Sequence, residues 1–447
     1  KRHARALCGA CPLILIRRAT PTMTSFLSSA PSMLDGTGIL APTREPFECE
    51  PTADEIQQIL LDRLFRTRAE LKKRDIVAAV LFDPTHVRYA TGARNMQVYS
   101  ARNPARYAFV PAEGPVVMFE FSGCAHLTEG LPGIDETRPA TAISYYFCDD
   151  QLQQTTQAWA DEIDALVRQC GGQKGDKVAI ESATSHAAFA LVERGWQICD
   201  AQVPLERARA IKVPNEIKMV RSSLRAVEQG VRKLEAAIRP GATENEVWSY
   251  LHQHIIATDA DYVETRLMNS GPRTNPWFQE CSDRAMQAGE LVALDTDVVG
   301  RYGYYADFSR TFLCGDGEAT PKQRELYRMA FDQVRTNMAL IAPGMTFKEY
   351  AEKAWQIPQP YKARRYFALA HGVGMTGEYP YIVHREDIDD KGYDGIMQPG
   401  MTLCVESFIG HEAGGEGVKM EEQLYIRDDG QVELLSDYHL DERLLAG

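Results

Sequence analysis

Five carboxylates and one imidazole appear in the last third of the chain in an order that suits a two-cation centre. Asp295 and Asp297 flank Thr296, and Asp307 sits in Ala306-Asp307-Phe308-Ser309-Arg310-Thr311-Phe312. His371 follows in Ala370-His371-Gly372-Val373-Gly374, Glu406 in Cys404-Val405-Glu406-Ser407, and Glu421 in Lys419-Met420-Glu421-Glu422. Each lies in a locally apolar or β-patterned run, where an unpaired carboxylate is costly to bury. Two divalent cations offset that cost, because carboxylates bridge metals while imidazole binds terminally. Singly, each acid reads as a solvated surface group. Together they read as ligands. On one strand Asp297 points to the same face as Asp295, and a turn through Gly300 to Gly303 returns Asp307 to them. Glu406 and Glu421 repeat the arrangement on a hairpin closed through Gly410 to Gly417. Three clustered carboxylates repel one another unless a cation sits among them.

The elements that must position these residues are legible from periodicity. Apolar spacing predicts a helix over 53–73, then strands over 76–82, 107–110 and 116–121. Helices over 154–170 and 186–195 enclose a strand over 177–180, an α/β unit of ordinary domain size. Pro214 breaks the chain, and Asn215 is placed to cap a long helix over 216–238. Thr243-Glu244-Asn245-Glu246 starts the next helix. Strand-rich segments follow over 291–299, 303–311, 401–409 and 423–426, with a helix over 322–342. The ligand candidates therefore sit mostly on strands, a rigid platform for several converging groups.

With 447 residues the chain is too long for one ordinary core, so two domains are expected. A net charge of −13 argues against nucleic acid and anionic membranes as partners, and no apolar run approaches the ~20 residues that span a bilayer. Ten scattered cysteines suit a reducing compartment, here a cytoplasmic one. Cys8-Gly9-Ala10-Cys11 has redox spacing without a strand before it. The first 34 residues hold no acid, and Lys1, Arg2, Arg5, Arg17 and Arg18 make them basic. Residues 1–45 are read as a leader or disordered segment, with organellar targeting open if this basic start is native. Residues 46–212 are assigned to an N-terminal domain and 213–447 to the cation-binding domain.

Lys212-Val213-Pro214-Asn215-Glu216, the Asp307–Phe312 block, His371-Gly372-Val373-Gly374 and Lys419-Met420-Glu421-Glu422 resemble the signature blocks of the creatinase/aminopeptidase P, or pita-bread, superfamily. The resemblance covers about residues 50–440. It implies an α+β protein with a small creatinase-like N-terminal domain and a pita-bread catalytic domain, usually as a homodimer. The chain departs from the peptidases of that group in three ways. They carry Asp-x-Gly eleven residues before the second Asp, where Thr296 stands between Asp295 and Asp297. They carry a second histidine about seven residues after the first, where this chain has Glu378. The segment from Ser270 to Cys281 is foreign to them.

All three departures are similar to the DddP-type dimethylsulfoniopropionate lyases. By that resemblance Asp295, Asp297, Asp307, His371, Glu406 and Glu421 bind two divalent ions, iron first among Fe, Mn, Zn and Co. The implied reaction is β-elimination to dimethyl sulfide and acrylate. In those enzymes an aspartate six residues after the metal histidine is the proposed base. Gly377 occupies that position here, which makes Glu378 the nearest replacement. The sulfonium cation of the substrate calls for aromatic faces; Trp277, Tyr366 and Tyr379 are the candidates, with Tyr366 also a catalytic candidate. Cys281, Cys314 and Cys404 are read as packing residues, and His384, His411 and His439 as surface or loop residues. Two other readings stand beside the lyase. One is a dinuclear hydrolase of X-Pro peptides or small amides, and the other a metal-free binding protein.

Overall fold

A computed structural model describes residues 31–446. A six-stranded mixed sheet forms first, from β1 (Ile76–Leu81), β2 (Tyr107–Pro111), β3 (Val117–Glu120), β4 (Glu136–Pro139), β5 (Lys177–Ile180) and β6 (Gln197–Asp200). Its order is β4-β3-β2-β1-β5-β6. Both faces are apolar and covered. Helix Leu152–Gln169 buries Trp159, Ile163 and Leu166 on one side, and helix Ala53–Lys72 buries Ile59, Leu64 and Leu71 on the other. The latter helix starts at a complete capping box, Thr52 with Glu55.

The second sheet carries the acids. Its strands are β8 (Met268–Ser270), β9 (Leu291–Asp295), β12 (Ser309–Leu313), β13 (Ala368–Val373), β14 (Gly377–Val383), β15 (Thr402–Gly410) and β16 (Gly417–Ile426), with β17 (Val432–Leu434) on β16. They run in the order β14-β13-β15-β16-β12-β9-β8. A small sheet of β11 (Tyr305–Ala306), β10 (Val298–Val299) and β7 (Tyr262–Val263) sits beside it. Alternation separates the faces. Val405, Ser407 and Met420 turn to helix Pro321–Leu340, where Ser407 donates to Gln333, while Glu406 and Glu421 turn the opposite way. Helices Glu216–Ala237 and Glu244–Ala257 cover Val292, Leu294 and Phe312.

Two expectations need correction. Asn215 does precede the long helix, but in a left-handed conformation and with no side-chain cap. Glu216 instead accepts the Val213 N–H at 2.6 Å. Residues 1–45 are expected to be a leader or disordered segment, yet within the described part of it Leu40 pairs with β17 through two backbone hydrogen bonds of 2.8 and 3.0 Å, and Met33 is buried. Pairing and burial outweigh the poor apolar patterning of this stretch. Cys8 and Cys11 lie outside the described residues. Among the described residues, no helix is long and apolar enough to cross a membrane.

Gly300, in the turn between β10 and β11, lies against the long helix. A Cβ there would come within 1.8 Å of Ser223 Oγ, which itself donates to the Tyr304 carbonyl at 2.7 Å. Gly300→Ala is therefore expected to cost about 1–3 kcal/mol in urea unfolding, the range for overpacking a core. Ser223→Ala in the same chain should recover part of that loss; equal midpoints for Gly300→Ala and wild type would contradict this packing.

Candidate metal centre

Strand register explains how residues more than a hundred positions apart meet. Ser309 on β12 pairs with Asp295 on β9 and with Glu421 on β16, and Glu421 pairs with Glu406 on β15. Directly paired residues share a face, so Asp295, Ser309, Glu421 and Glu406 form one row across four strands. His371 reaches it from β13, whose register sets His371 opposite Cys404. Asp307 joins from the link between β11 and β12. The expected hairpin closure is found at Gly410, which pairs with Gly417.

Asp297 arrives differently from the expected strand alternation. The strand stops at Asp295, and Asp297 adopts a left-handed conformation with φ 41°. Thr296 holds this break: its Oγ1 donates to the Ala306 carbonyl at 2.9 Å and accepts the Phe308 N–H at 3.1 Å. Asp297 Oδ2 accepts from Thr265. The result still gathers the three aspartates, with ligand oxygens of Asp295, Asp297 and Asp307 within 4.8 Å of one another. A second group within the same limit is Asp307, His371, Glu421 and Cys404, the last read from sequence only as packing. Asp307 belongs to both groups.

The charges at this place do not balance. Asp295, Asp307, Glu406 and Glu421 are almost fully buried. One ammonium serves them: Lys419 Nζ lies 2.6 Å from Glu406, 3.0 Å from Glu421 and 3.1 Å from Asp295. With all five carboxylates ionised and His371 neutral, as coordination requires, one lysine leaves a net charge of −4, which two divalent cations would offset. The protonation shifts follow from the same crowding. Burial, then Glu421 and the neighbouring aspartates, push Asp307 well above the carboxylate range. Burial and Glu406 do the same to Glu421, and burial with Asp295 raises Asp297 to about 7. Asp295 falls, since Lys419 overcomes its burial.

His371 is oriented for coordination. Its Nδ1 lies 2.9 Å from the Gly372 carbonyl and donates to it, which turns Nε2 toward Glu406 at 3.3 Å, Asp307 at 3.7 Å and Glu421 at 3.8 Å. Burial works against its protonation, but the Glu406 hydrogen bond and the surrounding carboxylates raise it to about 9. Glu421 Oε1 is buried with no hydrogen-bond partner. An orphaned buried acceptor beside an imidazole nitrogen and Asp307 fits the role of a cation ligand.

A cavity of about 520 Å³ opens onto this centre, lined by Asp297, Asp307, His371, Tyr366, Glu264 and Gly377 among others. Tyr366 is brought to it as expected, its ring above Lys419 Nζ at 4.8 Å and stacked on Phe367 at 4.5 Å. Trp277 is not. It is buried against Phe408, Leu267 and Ala293, behind Tyr366. Tyr379 lines the cavity, but the Arg207 guanidinium already lies over its ring at 3.7 Å and Tyr393 stacks on it. That face is unavailable to a second cation.

Glu378 also needs correction. Its side chain is 1% exposed and ion-paired to Lys212 at 2.5 Å and Arg209 at 2.8 Å. Two fixed cations on one buried carboxylate make it a structural counter-ion, not a base open to substrate. His384, read as a surface residue, is buried and donates from Nε2 to the Tyr366 carbonyl at 2.9 Å. Sequence reasoning gave no role to Lys419, although its position two before Glu421 on a strand puts both on one face. It also missed Glu264 and Arg209, which no local pattern marks.

A family model described as "Metallopeptidase family M24" matches residues 218–428. The chain is 34% identical over 399 residues to "Dimethylsulfoniopropionate lyase DddP" of Roseovarius nubinhibens, covering 88% of this chain and 89% of that one. The protein of the same name from Roseobacter denitrificans is 33% identical over 419 residues, 91% and 93% of the two chains. The chain belongs to the DddP family, and its residues 218–428 match the M24 metallopeptidase domain. Among solved structures, an Xaa-Pro dipeptidase from Bacillus anthracis superposes with a TM-score of 0.68 at 19% identity, over 86% of this chain and 99% of that one. Dipeptidase PepE from Mycobacterium ulcerans gives 0.68 at 20%, over 86% and 97%. These likenesses establish the pita-bread fold. The family and the ligand cluster imply divalent metal ions.

Two outcomes are expected. Asp307→Ala and His371→Ala should each lose metal at one or both positions and nearly all activity; stoichiometric metal with full turnover in either variant would remove these residues from the centre. Metal-free protein should lose stability as pH rises. Asp297, at about 7 when folded against 3.8 in the ordinary state, holds a proton in the fold that the unfolded chain has released. That stabilisation is complete below the ordinary value and gone above about 7. The gap in thermal midpoint between metal-loaded and chelated protein should therefore be wider at pH 8 than at pH 5. An equal gap would contradict the carboxylate crowding.

Proposed function

We infer that this chain is a metal-dependent carbon–sulfur lyase acting on dimethylsulfoniopropionate. The observation that carries the reading is 33–34% identity with two lyases of that name across about nine-tenths of the chain. Position 378 supports it. Where the peptidases of this group hold a second histidine, this chain holds a glutamate committed to Arg209 and Lys212. The cavity therefore lacks the imidazole that those enzymes use at a scissile peptide.

The proposed ligands are Asp295, Asp297, Asp307, His371, Glu406 and Glu421, holding two ions, iron first. Bound there, the ions would supply positive charge against the negative charge that grows on the substrate carboxylate as its α-proton leaves. The residues supply the rest. Tyr366, Phe367 and Tyr381 give an aromatic wall for the sulfonium cation. The Tyr366 phenol stays neutral, since burial and then Glu406 raise it well above its ordinary value. Tyr366 thus serves as a ring and a hydroxyl donor, not as a base. Loss of the α-proton, formation of the Cα–Cβ double bond and departure of neutral dimethyl sulfide leave acrylate.

A homodimer is part of the proposal. Met96, Val98 and Tyr99 form an exposed apolar patch beside Arg94 and Asp261, suited to a second subunit that closes the cavity.

One feature favours a second reading, hydrolysis of an X-Pro peptide or small amide. Position 377 itself offers no carboxylate to the cavity, and a Cβ there would meet only His371 Nδ1 at 4.0 Å. Gas chromatography of the headspace over metal-replete protein and dimethylsulfoniopropionate is expected to detect dimethyl sulfide. X-Pro dipeptide cleavage without it would favour the hydrolase. Gly377→Asp has room for its side chain and should raise the lyase rate. Light scattering should give a dimer, and a fully active monomer would remove the second subunit from the site.

A further inference from the structure

The reaction above requires a proton acceptor, and the position expected to supply it is glycine. Besides the cation ligands, the cavity is lined by three carboxylates: Glu206, Glu264 and Glu378. Two are committed. Glu378 faces Lys212 and Arg209. Glu206 accepts the Tyr379 N–H at 2.8 Å and lies 3.1 Å from Arg209, and His86 and Arg209 hold it down at about 2 despite burial.

Glu264 is different. It has no ion-pair partner among the described residues, and it is exposed on the cavity wall. Hydroxyl groups hold it: Tyr305 OH lies 3.0 Å from Oε2, and Tyr262 OH 3.4 Å from Oε1. Its backbone N–H donates to the Asp297 carbonyl at 3.0 Å, which ties it to the turn that carries that ligand. Tyr305 OH is also 3.0 Å from Asp297 Oδ1, so a single phenol separates Glu264 from the cation centre. A carboxylate that is fixed, free of counter-cations, open to the cavity and adjacent to the ligand cluster meets the geometric demands on a general base.

We propose that Glu264 abstracts the α-proton in the elimination. The proposal rests on the lyase reading. The Glu264 carboxylate takes the α-hydrogen as a proton, and the C–H pair becomes the Cα–Cβ π bond. The Cβ–S pair leaves on sulfur as dimethyl sulfide, acrylate remains, and Glu264 returns its proton to solvent through the cavity mouth.

The test compares wild type, Glu264→Gln and Glu264→Asp with dimethylsulfoniopropionate, measuring dimethyl sulfide, kcat, KM and bound metal. Glu264→Gln keeps size and hydrogen bonding but removes the basic oxygen. It should lower kcat about 100-fold or more, with KM and metal content near wild type. Glu264→Asp, which keeps a carboxylate, should recover part of the rate. Turnover of Glu264→Gln close to wild type would overturn the assignment. So would a rate loss matched by metal loss in both variants, which would make Glu264 a support for the centre. A wild type that releases no dimethyl sulfide would overturn the lyase reading itself, and the base with it.

Discussion

Strand register sets Asp295, Ser309, Glu421 and Glu406 side by side on one sheet face, and the repulsion within that row governs the rest of the structure. Buried carboxylates this close cannot all remain ionised without counter-charge. Lys419, two residues before Glu421 on the same strand, supplies one positive charge and touches three of the acids. His371 supplies an imidazole whose inward nitrogen is fixed by the Gly372 carbonyl. The remaining deficit matches two divalent ions. The fold positions the acids, and the acids in turn make the finished centre depend on cations.

A second layer of charge joins the N-terminal sheet to this centre. His86 and Glu181 lie 2.6 Å apart, Arg209 stands 2.9 Å from His86, and Arg209 and Lys212 hold Glu378. His86 rises to about 9, as Glu181 and Glu206 overcome its burial. Removing one member would strand the others uncompensated in a low-dielectric setting, which is costly. The chain thus uses the carboxylate beside Gly377 to fasten its two sheets. This reassigns Glu378 from chemistry to architecture and leaves Glu264 as the uncommitted acid of the cavity.

The same cavity carries marks of two chemistries. The fold is shared with Xaa-Pro dipeptidases, whereas the histidine absent at position 378 and the aromatic wall suit a small sulfonium substrate. Fold alone does not choose between hydrolysis and elimination. The choice lies in which groups face the cavity, and Gly377, Glu378 and Glu264 differ there by burial and partners more than by residue type.

Local sequence determined much of this protein. Periodicity located helix Ala53–Lys72, strand Lys177–Ile180 and helix Glu216–Ala237 to within a residue or two, because each has one apolar face to bury. The acid spacing, the histidine before a glycine-rich turn and the glycines of the β15–β16 hairpin were enough to nominate six candidate ligands. Tertiary structure decided what spacing cannot encode. Asp297 reaches the centre through a left-handed turn held by Thr296, not through strand alternation. Trp277 is packed behind the wall, and Tyr379 is covered by Arg207, from a helix far away in sequence. Glu378 is neutralised by residues some 170 positions earlier, and Glu264 has no such partner among the described residues. A residue's type and neighbours in sequence set what chemistry it can do; the charges and rings that long-range packing brings against it set whether it is free to do it.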